Sequence, residues 1–305
     1  MSADKRLSAV SRTSGVNRAV KDGAVRPTGY QLDWQDVPVL VQAFRRMVRG
    51  NEFDVCEMAA TTYLVAKAYG KPFTALPVFL VRGFHHGAIL RSIHHDIENP
   101  KQLEGRAVGV NRGYTVTTGV WARSVLHDEY GVDLDRITWV LSGDEHVAEY
   151  RPPANVVPVP DGRSIPEMLD AGELAAAIGV EKSPDLVPLI PDAAGAGLAS
   201  LRRTGIFPIN HLVVVKDELL ADRPDLAPAL FVAFAEAKRR YLADGPDELH
   251  RRVAEVTGED PLPYGLQPNR HVLEELIGRA LDQHILDRPP VLEELFARGT
   301  WDLTG

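Results

Sequence analysis

Residues 106–130 read RAVGVNRGYTVTTGVWARSVLHDEY. An apolar run of strand length, 106–110, meets a polar turn holding Gly113, and 119–130 then carries helical spacing. Strand, glycine-containing turn and helix form a β–α unit, which aims backbone N–H groups at whatever lies before the helix. Thr117 and Thr118 add hydroxyl donors and Arg112 adds charge, so 111–118 reads either as an anion site or as an ordinary connection. It lacks the glycine spacing and the lysine of a phosphate-binding loop.

Upstream, 77–90 read PVFLVRGFHHGAIL, an apolar strand-like run with one arginine and two adjacent histidines. On a strand, neighbouring side chains alternate faces, so only one of His85 and His86 should face a given cleft. Arg82 with a titratable imidazole on one short segment makes a grip for an anion. Two structural histidines and a surface arginine is the competing reading. Further strands are expected at 5–10, 30–34, 53–58, 137–141, 156–159 and 174–180, and at the end of 202–215. Helices are expected at 16–22, at 36–49 with Asp36 as N-cap, and at 61–69, 224–242 and 271–284. Ser164 and Glu167 have capping-box spacing. Residues 181–198 read as loop and 263–270 as a turn. The alternation predicts an α/β fold with mainly parallel sheets. The expected division is 1–105 plus 215–305 in one lobe and 106–214 in the other, with a ligand cleft between them.

The chain has 305 residues, 45% of them hydrophobic, enough for two packed units. Its net charge is 34 − 42 = −8 with no basic block, which argues against a nucleic-acid partner. Cys56 stands alone, so neither an intrachain disulfide nor a cysteine-rich zinc site is open to it. No ligand spacing such as HExxH occurs, and no metal is expected. No run has membrane-span length, and MSADKRLSAVSRTSG has no signal-peptide core, so a cytoplasmic protein is expected.

Five segments are similar to one family: RGNEFDVCEMAATTYL, ALPVFLVRGFHHGAI, the series LEGRAVGV, VWARSVLHDEYGV and ITWV, RRTGIFPINHLVVVK, and PYGLQPNRHVLE. In order and spacing they resemble the 4,5-dihydroxyphthalate decarboxylases, which have the type 2 periplasmic-binding-protein-like fold. The resemblance spans about 49–274. It departs from the family pattern at His85, in SRTSGVNR and in NRGYTVTTG. It implies a two-lobed α/β protein that removes CO2 from a dihydroxylated aromatic dicarboxylate without an organic cofactor. It carries over to Arg82, His86, Glu57, Arg203, Thr204, His211, Tyr264 and Arg270. The alternative is a solute-binding protein of the ABC-transporter type, holding an aromatic or heterocyclic carboxylate without chemistry.

Direct loss of CO2 from an aryl carboxylate leaves an unfavourable aryl carbanion. A hydroxyl para to the carboxylate opens another route. Its deprotonation pushes electrons into the ring, the carboxylate-bearing carbon takes a proton, and the dienone expels CO2. Histidine suits either proton role. The expected assignment is His86 and His211 for proton transfer, with Glu57 orienting a histidine or accepting the phenol proton. Arg82 and Arg203 bind carboxylates, with Thr117, Thr118, Thr204 and Arg18 as further substrate contacts. Tyr264 and Arg270 are expected to be cap and turn residues. A homo-oligomer is compatible with these features.

Overall fold

The structure is a computed structural model and describes residues 4–305. In chain order its strands are β1 (Lys5–Val10), β2 (Tyr30–Trp34), β3 (Val55–Ala59), β4 (Phe73–Arg82), β5 (Ile89–Ser92), β6 (Ala107–Val110), β7 (Thr138–Leu141), β8 (Val156–Pro158), β9 (Ala176–Ile178), β10 (Leu186–Pro188) and β11 (Ile209–Lys216). The helices are α1 (Arg18–Lys21), α2 (Leu40–Gly50), α3 (Ala60–Ala68), α4 (Thr117–Tyr130), α5 (Ile165–Asp170), α6 (Ala193–Thr204), α7 (Asp217–Asp222), α8 (Leu226–Ala243), α9 (Glu248–Thr257) and α10 (Leu266–Asp282).

The chain divides into two compact units. The first comprises Met1–Arg82, Ile209–Glu275 and Pro290–Gly305, and the second Gly83–Pro208 and Leu276–Pro289. The expected boundaries near 105 and 215 fall instead at 82/83 and 208/209. The cause is local: β5 hydrogen-bonds to β9 and β10 of the second sheet, while all of β11 pairs with β3 and β4 of the first.

The first unit holds a five-stranded sheet in the order β2-β1-β3-β11-β4. β1 lies parallel to β2 and β3, and β11 runs antiparallel to both of its neighbours. Every residue of β3 is buried, Glu57 included. Phe44, Met47 and Val48 of α2 and Leu230, Phe231 and Phe234 of α8 are buried, so each helix contributes an apolar stripe to the core. Cys56 is 0% exposed, and burial pushes its thiol pKa well up, with Glu57 adding to the shift.

The second unit holds a six-stranded sheet in the order β10-β5-β9-β6-β7-β8. β6 is parallel to β7 and β9, and β7 to β8, while β5 is antiparallel to β9 and β10. Val140, Ile165, Met168, Leu169, Leu174 and Ala177 form one core cluster there. The Ser164 and Glu167 capping box is present and starts α5, as the spacing predicts.

Three local expectations are corrected. The run 77–90 is not one strand: β4 stops at Arg82 and His86–Ala88 is a 3-10 turn before β5. Strand alternation therefore does not govern the two histidines, and both are buried. Part of the expected loop 181–198 forms β10 and the start of α6, capped by Asp192 at its N-terminus, with Arg202 and Arg203 in its last turn. Glycines disguised that helix. Gly197 is there because a Cβ would come within 2.5 Å of the Phe84 ring. Finally, α10 begins at Leu266, so Asn269 and Arg270 are helical rather than in a turn. Pro268 is tolerated because it falls in the first helical turn, where N–H groups have no intrahelical acceptor.

Candidate functional site

In the five-stranded unit, Glu57 and His211 come together. Val213, not His211, is the cross-strand partner of Glu57, so the pair is diagonal on one face of the sheet. His211 sits between two register shifts in the β11–β4 ladder. Bulges of this kind re-aim a side chain beside functional sites. His211 Nδ1 lies 2.6 Å from Glu57 Oε1, and Phe44 packs edge-on to the imidazole at 5.2 Å. The Glu57 side chain is 2% exposed and that of His211 is 18% exposed. Among the described residues Nε2 of His211 has no hydrogen-bond partner.

The other carboxylate oxygen of Glu57 is held by the loop after β1. Ser11 Oγ donates to Oε2 at 2.6 Å and the Arg12 N–H at 3.0 Å. Burial works to raise the Glu57 pKa, but the bond and charge of His211 and the donors Ser11 and Arg12 outweigh it, and the carboxyl stays below its ordinary value. Asn17 is fully buried and donates to Ser11 Oγ at 2.8 Å. Lys21 of α1 donates to Ser11 O at 2.6 Å and lies over the Trp34 ring. Burial lowers its pKa, against the raising effect of Glu57 and Asp36. The exposed guanidinium groups of Arg12 and Arg18 make no hydrogen bond or ion pair to the described residues.

Arg82 ends β4 in the same unit but is not a surface arginine. It is 7% exposed, donates to Asn269 Oδ1 and to Pro263 O, and lies over the Phe79 ring. Burial brings its pKa down to about 10, although Tyr264 and Asp260 pull the other way. Tyr264 is 0% exposed with no hydrogen-bond partner for its hydroxyl, and Arg270 pairs with Glu274 and Glu293.

In the six-stranded unit, His86 meets a carboxylate that the sequence reading did not select. His86 Nε2 lies 3.1 and 3.2 Å from the two oxygens of Glu129, near the end of α4. Ser200 Oγ donates to Glu129 at 2.7 Å, and Arg203 pairs with it at 3.2 Å. Burial works to raise the Glu129 pKa, but the bonds from His86 and Ser200 and the charges of His86 and Arg203 hold it below the ordinary value. Nδ1 of His86 is buried without a partner. Thr204, beside Arg203, spends its hydroxyl on Ser200 O and the Ile206 N–H at the end of α6.

The turn 111–118 lies in this unit too. The N–H groups of Tyr114 and Thr115 and the Thr115 hydroxyl all donate to the buried carboxylate of Glu145, the hydroxyl at 2.5 Å. An internal carboxylate therefore takes up the donors that the sequence offered to an outside anion. Gly113 makes room for it, since a Cβ there would lie 2.6 Å from Glu145 Oε2. Thr117 and Thr118 open α4, Thr117 almost fully buried.

The structure thus joins Glu57 to His211, and His86 to Arg203 through Glu129. Arg82 is held separately in the first unit. Ser11, Arg12, Asn17 and Lys21 on one side, and Glu129 and Ser200 on the other, were missed. The small-polar run SRTSGVN after an apolar strand signalled the first group. Glu129 signalled itself as an acid in the last turn of a helix, where the macrodipole disfavours it unless a tertiary partner compensates. Among the described residues, no cluster of three or more His, Cys, Asp or Glu side chains has metal-site geometry, and no helix is long and apolar enough to cross a membrane.

No protein-family model matches the chain. It is 29% identical to a 4,5-dihydroxyphthalate decarboxylase of Comamonas testosteroni over 297 residues, covering 87% of this chain and 90% of that protein. It is 33% identical to a 4,5-dihydroxyphthalate decarboxylase of Pseudomonas putida over 174 residues, covering 53% of this chain and 65% of that one. Among solved structures it is similar to the periplasmic aliphatic sulphonate binding protein SsuA from Escherichia coli. The TM-score is 0.57 and the identity 11%, with 98% of this chain and 99% of that chain covered. That likeness shows the fold, and this chain has the type 2 periplasmic-binding-protein-like α/β fold.

Proposed function

We propose that this chain, similar in sequence to the 4,5-dihydroxyphthalate decarboxylases, is a carboxy-lyase for 4,5-dihydroxyphthalate or a close analogue, with protocatechuate as the product. The single observation that carries the reading beyond sequence similarity is His211, whose Nδ1 is held by a buried carboxylate while Nε2 is left open. An imidazole so held can take or give a proton at Nε2 without changing its position. The proposed chemistry starts with loss of the proton from the ring hydroxyl para to the departing carboxylate. The electron pair enters the ring, and the carbon bearing the carboxylate gains a proton from an acid. The bond from that carbon to the carboxylate then breaks and CO2 leaves. Its electron pair restores the aromatic ring, and the phenol is re-protonated. The sum is one proton consumed and one CO2 released.

Proton transfer is assigned first to the His211–Glu57 pair. His86 remains the second candidate from the sequence pattern, although Glu129 occupies its Nε2 and its Nδ1 is buried. Arg12 and Arg18 are proposed as carboxylate ligands because their guanidinium groups are exposed and uncommitted. Arg82 is proposed to act by holding the 263–269 segment in place. Purified protein mixed with 4,5-dihydroxyphthalate, with no cofactor added, is expected to release CO2 and protocatechuate in equal amounts. Tight binding of the dicarboxylate with neither product appearing would overturn the enzyme reading and support a solute-binding one, which the likeness to a periplasmic binding protein favours.

A further inference from the structure

We propose that Asn17 and Ser11 are positioning residues that act through Glu57 to fix His211 as the Nδ1–H tautomer, leaving Nε2 as the base that takes the ring-hydroxyl proton. The last clause rests on the function proposed above. The tautomer does not.

The directions of the hydrogen bonds from Asn17 to His211 fix where each proton lies. The Asn17 amide is pinned at both ends by backbone groups with fixed roles. Its Oδ1 accepts from the Ser14 N–H at 2.8 Å, and its Nδ2 donates to Arg12 O at 2.9 Å. A backbone N–H only donates and a carbonyl only accepts, so the amide cannot be turned over. The second Nδ2 hydrogen goes to Ser11 Oγ at 2.8 Å. Ser11 therefore receives, and its one hydroxyl proton must leave in another direction. Two acceptors are in reach: Glu57 Oε2 at 2.6 Å and Arg12 O at 3.1 Å. The carboxylate is nearer and charged, whereas the carbonyl is neutral and already bonded to Asn17. Oε2 thus takes two donors, Ser11 Oγ and the Arg12 N–H. An oxygen so used is a poor place for a proton, and the depressed carboxyl pKa agrees. With Glu57 ionised, the short contact from Oε1 to His211 Nδ1 needs its proton on the nitrogen.

When His211 is neutral, its lone pair is then at Nε2, on a side chain that is 18% exposed. In the proposed step the phenolic O–H bond breaks and its electron pair stays on oxygen and moves into the ring. A new N–H bond forms at Nε2, and Glu57 balances the imidazolium charge. The carbon that loses CO2 draws its proton from a different donor. The titratable groups that couple to Glu57 besides His211 are Cys56 beside it in β3, Lys21 from α1 and Tyr264 just before α10. Phe44 from α2 contributes only a ring edge.

The test uses the full chain labelled with nitrogen-15, following imidazole nitrogen shifts against pH and assigning His211 by the signal lost in His211→Gln. The wild-type protein is expected to show the Nδ1–H tautomer at high pH. Asn17→Asp puts an acceptor where the donor was. It turns the Ser11 proton away from Glu57 and adds negative charge, so the His211 titration should move up by about one pH unit or more. The acid limb of kcat/KM for CO2 release should move with it. Ser11→Ala should lower kcat by roughly 10-fold at little changed KM, and Ser11→Thr should restore it. An Nε2–H tautomer in the wild type overturns the inference even if CO2 is evolved. An unmoved titration in both Asn17→Asp and Ser11→Ala overturns it too. The Nδ1–H tautomer with shifted titrations, but no CO2 from 4,5-dihydroxyphthalate, upholds the relay and removes the decarboxylase reading. If Asn17→Asp does not fold, the wild-type tautomer and the serine variants decide.

Discussion

The two histidine–glutamate pairs use the same residue types with their burial inverted. In the five-stranded unit the carboxylate is the enclosed partner, 2% exposed, and the imidazole is 18% exposed. In the six-stranded unit the imidazole is enclosed at 3% and the carboxylate is 14% exposed. An enclosed carboxylate with three donors is a fixed base plate that presents a ring. An enclosed imidazole with one nitrogen engaged is instead a strut, and its carboxylate is shared outward with Ser200 and Arg203. Which partner is buried decides which partner can react.

The largest expected effect falls on the open ring. His211→Gln should cut turnover by about 100- to 10,000-fold while thermal melting stays near the wild-type value. A melting loss comparable to that of His86→Ala would erase the contrast. His86→Ala comes next. It should cost about 1–3 kcal/mol in chemical denaturation, because it leaves a void and strips Glu129 of a bond, with a smaller loss of rate than His211→Gln. A larger rate loss than His211→Gln would transfer the proton-transfer role to the second pair.

Acid stability sharpens the comparison from the carboxylate side. Both Glu57 and Glu129 titrate lower in the folded chain than a free glutamate does. The unfolded chain therefore binds more protons between the ordinary value of about 4.3 and the lowered folded values. The stabilisation is fully present above that window and is lost as pH falls through it. Urea denaturation from pH 6 to pH 3 should show a flatter decline for Glu57→Gln and for Glu129→Gln than for the wild type. Unchanged slopes would mean that neither carboxyl is held. The smallest effect belongs to Arg203→Ala. Its side chain is 57% exposed, so the ion pair is open to solvent and salt, and stability should change by no more than about 0.5 kcal/mol.

Much of the architecture was readable because period-2 and helical patterns are local. Residues 5–10, 30–34 and 164–167 behave as their own sequence dictates. What escaped was set by distant chain. Gly195 and Gly197 argued against a helix at 193–204, until the Asp192 cap is seen to crowd the first position and the Phe84 ring the second. The donors of 113–115 looked open to an outside anion because Glu145, 30 residues away, is invisible to a local reading. Arg82 reads as a grip for an anion on its own segment, because nothing nearby in sequence announces Asn269, 187 residues on. The Glu57–His211 contact spans 154 residues, and the family likeness names both residues without pairing them. The length of β4 was misjudged for a different reason. Hydrophobicity continues past Arg82, but the hydrogen-bond partners change there from one sheet to the other.

Cys56 carries a practical consequence. It is the chain's sole cysteine, it adjoins Glu57 in β3, and both its enclosure and its raised pKa keep it from attacking reagents. A maleimide or disulfide dye added to the native protein should stay unreacted until β3 itself comes apart. The rate of modification would then count openings of the central strand beneath the dyad, with no engineered probe and no background from other sulfhydryls.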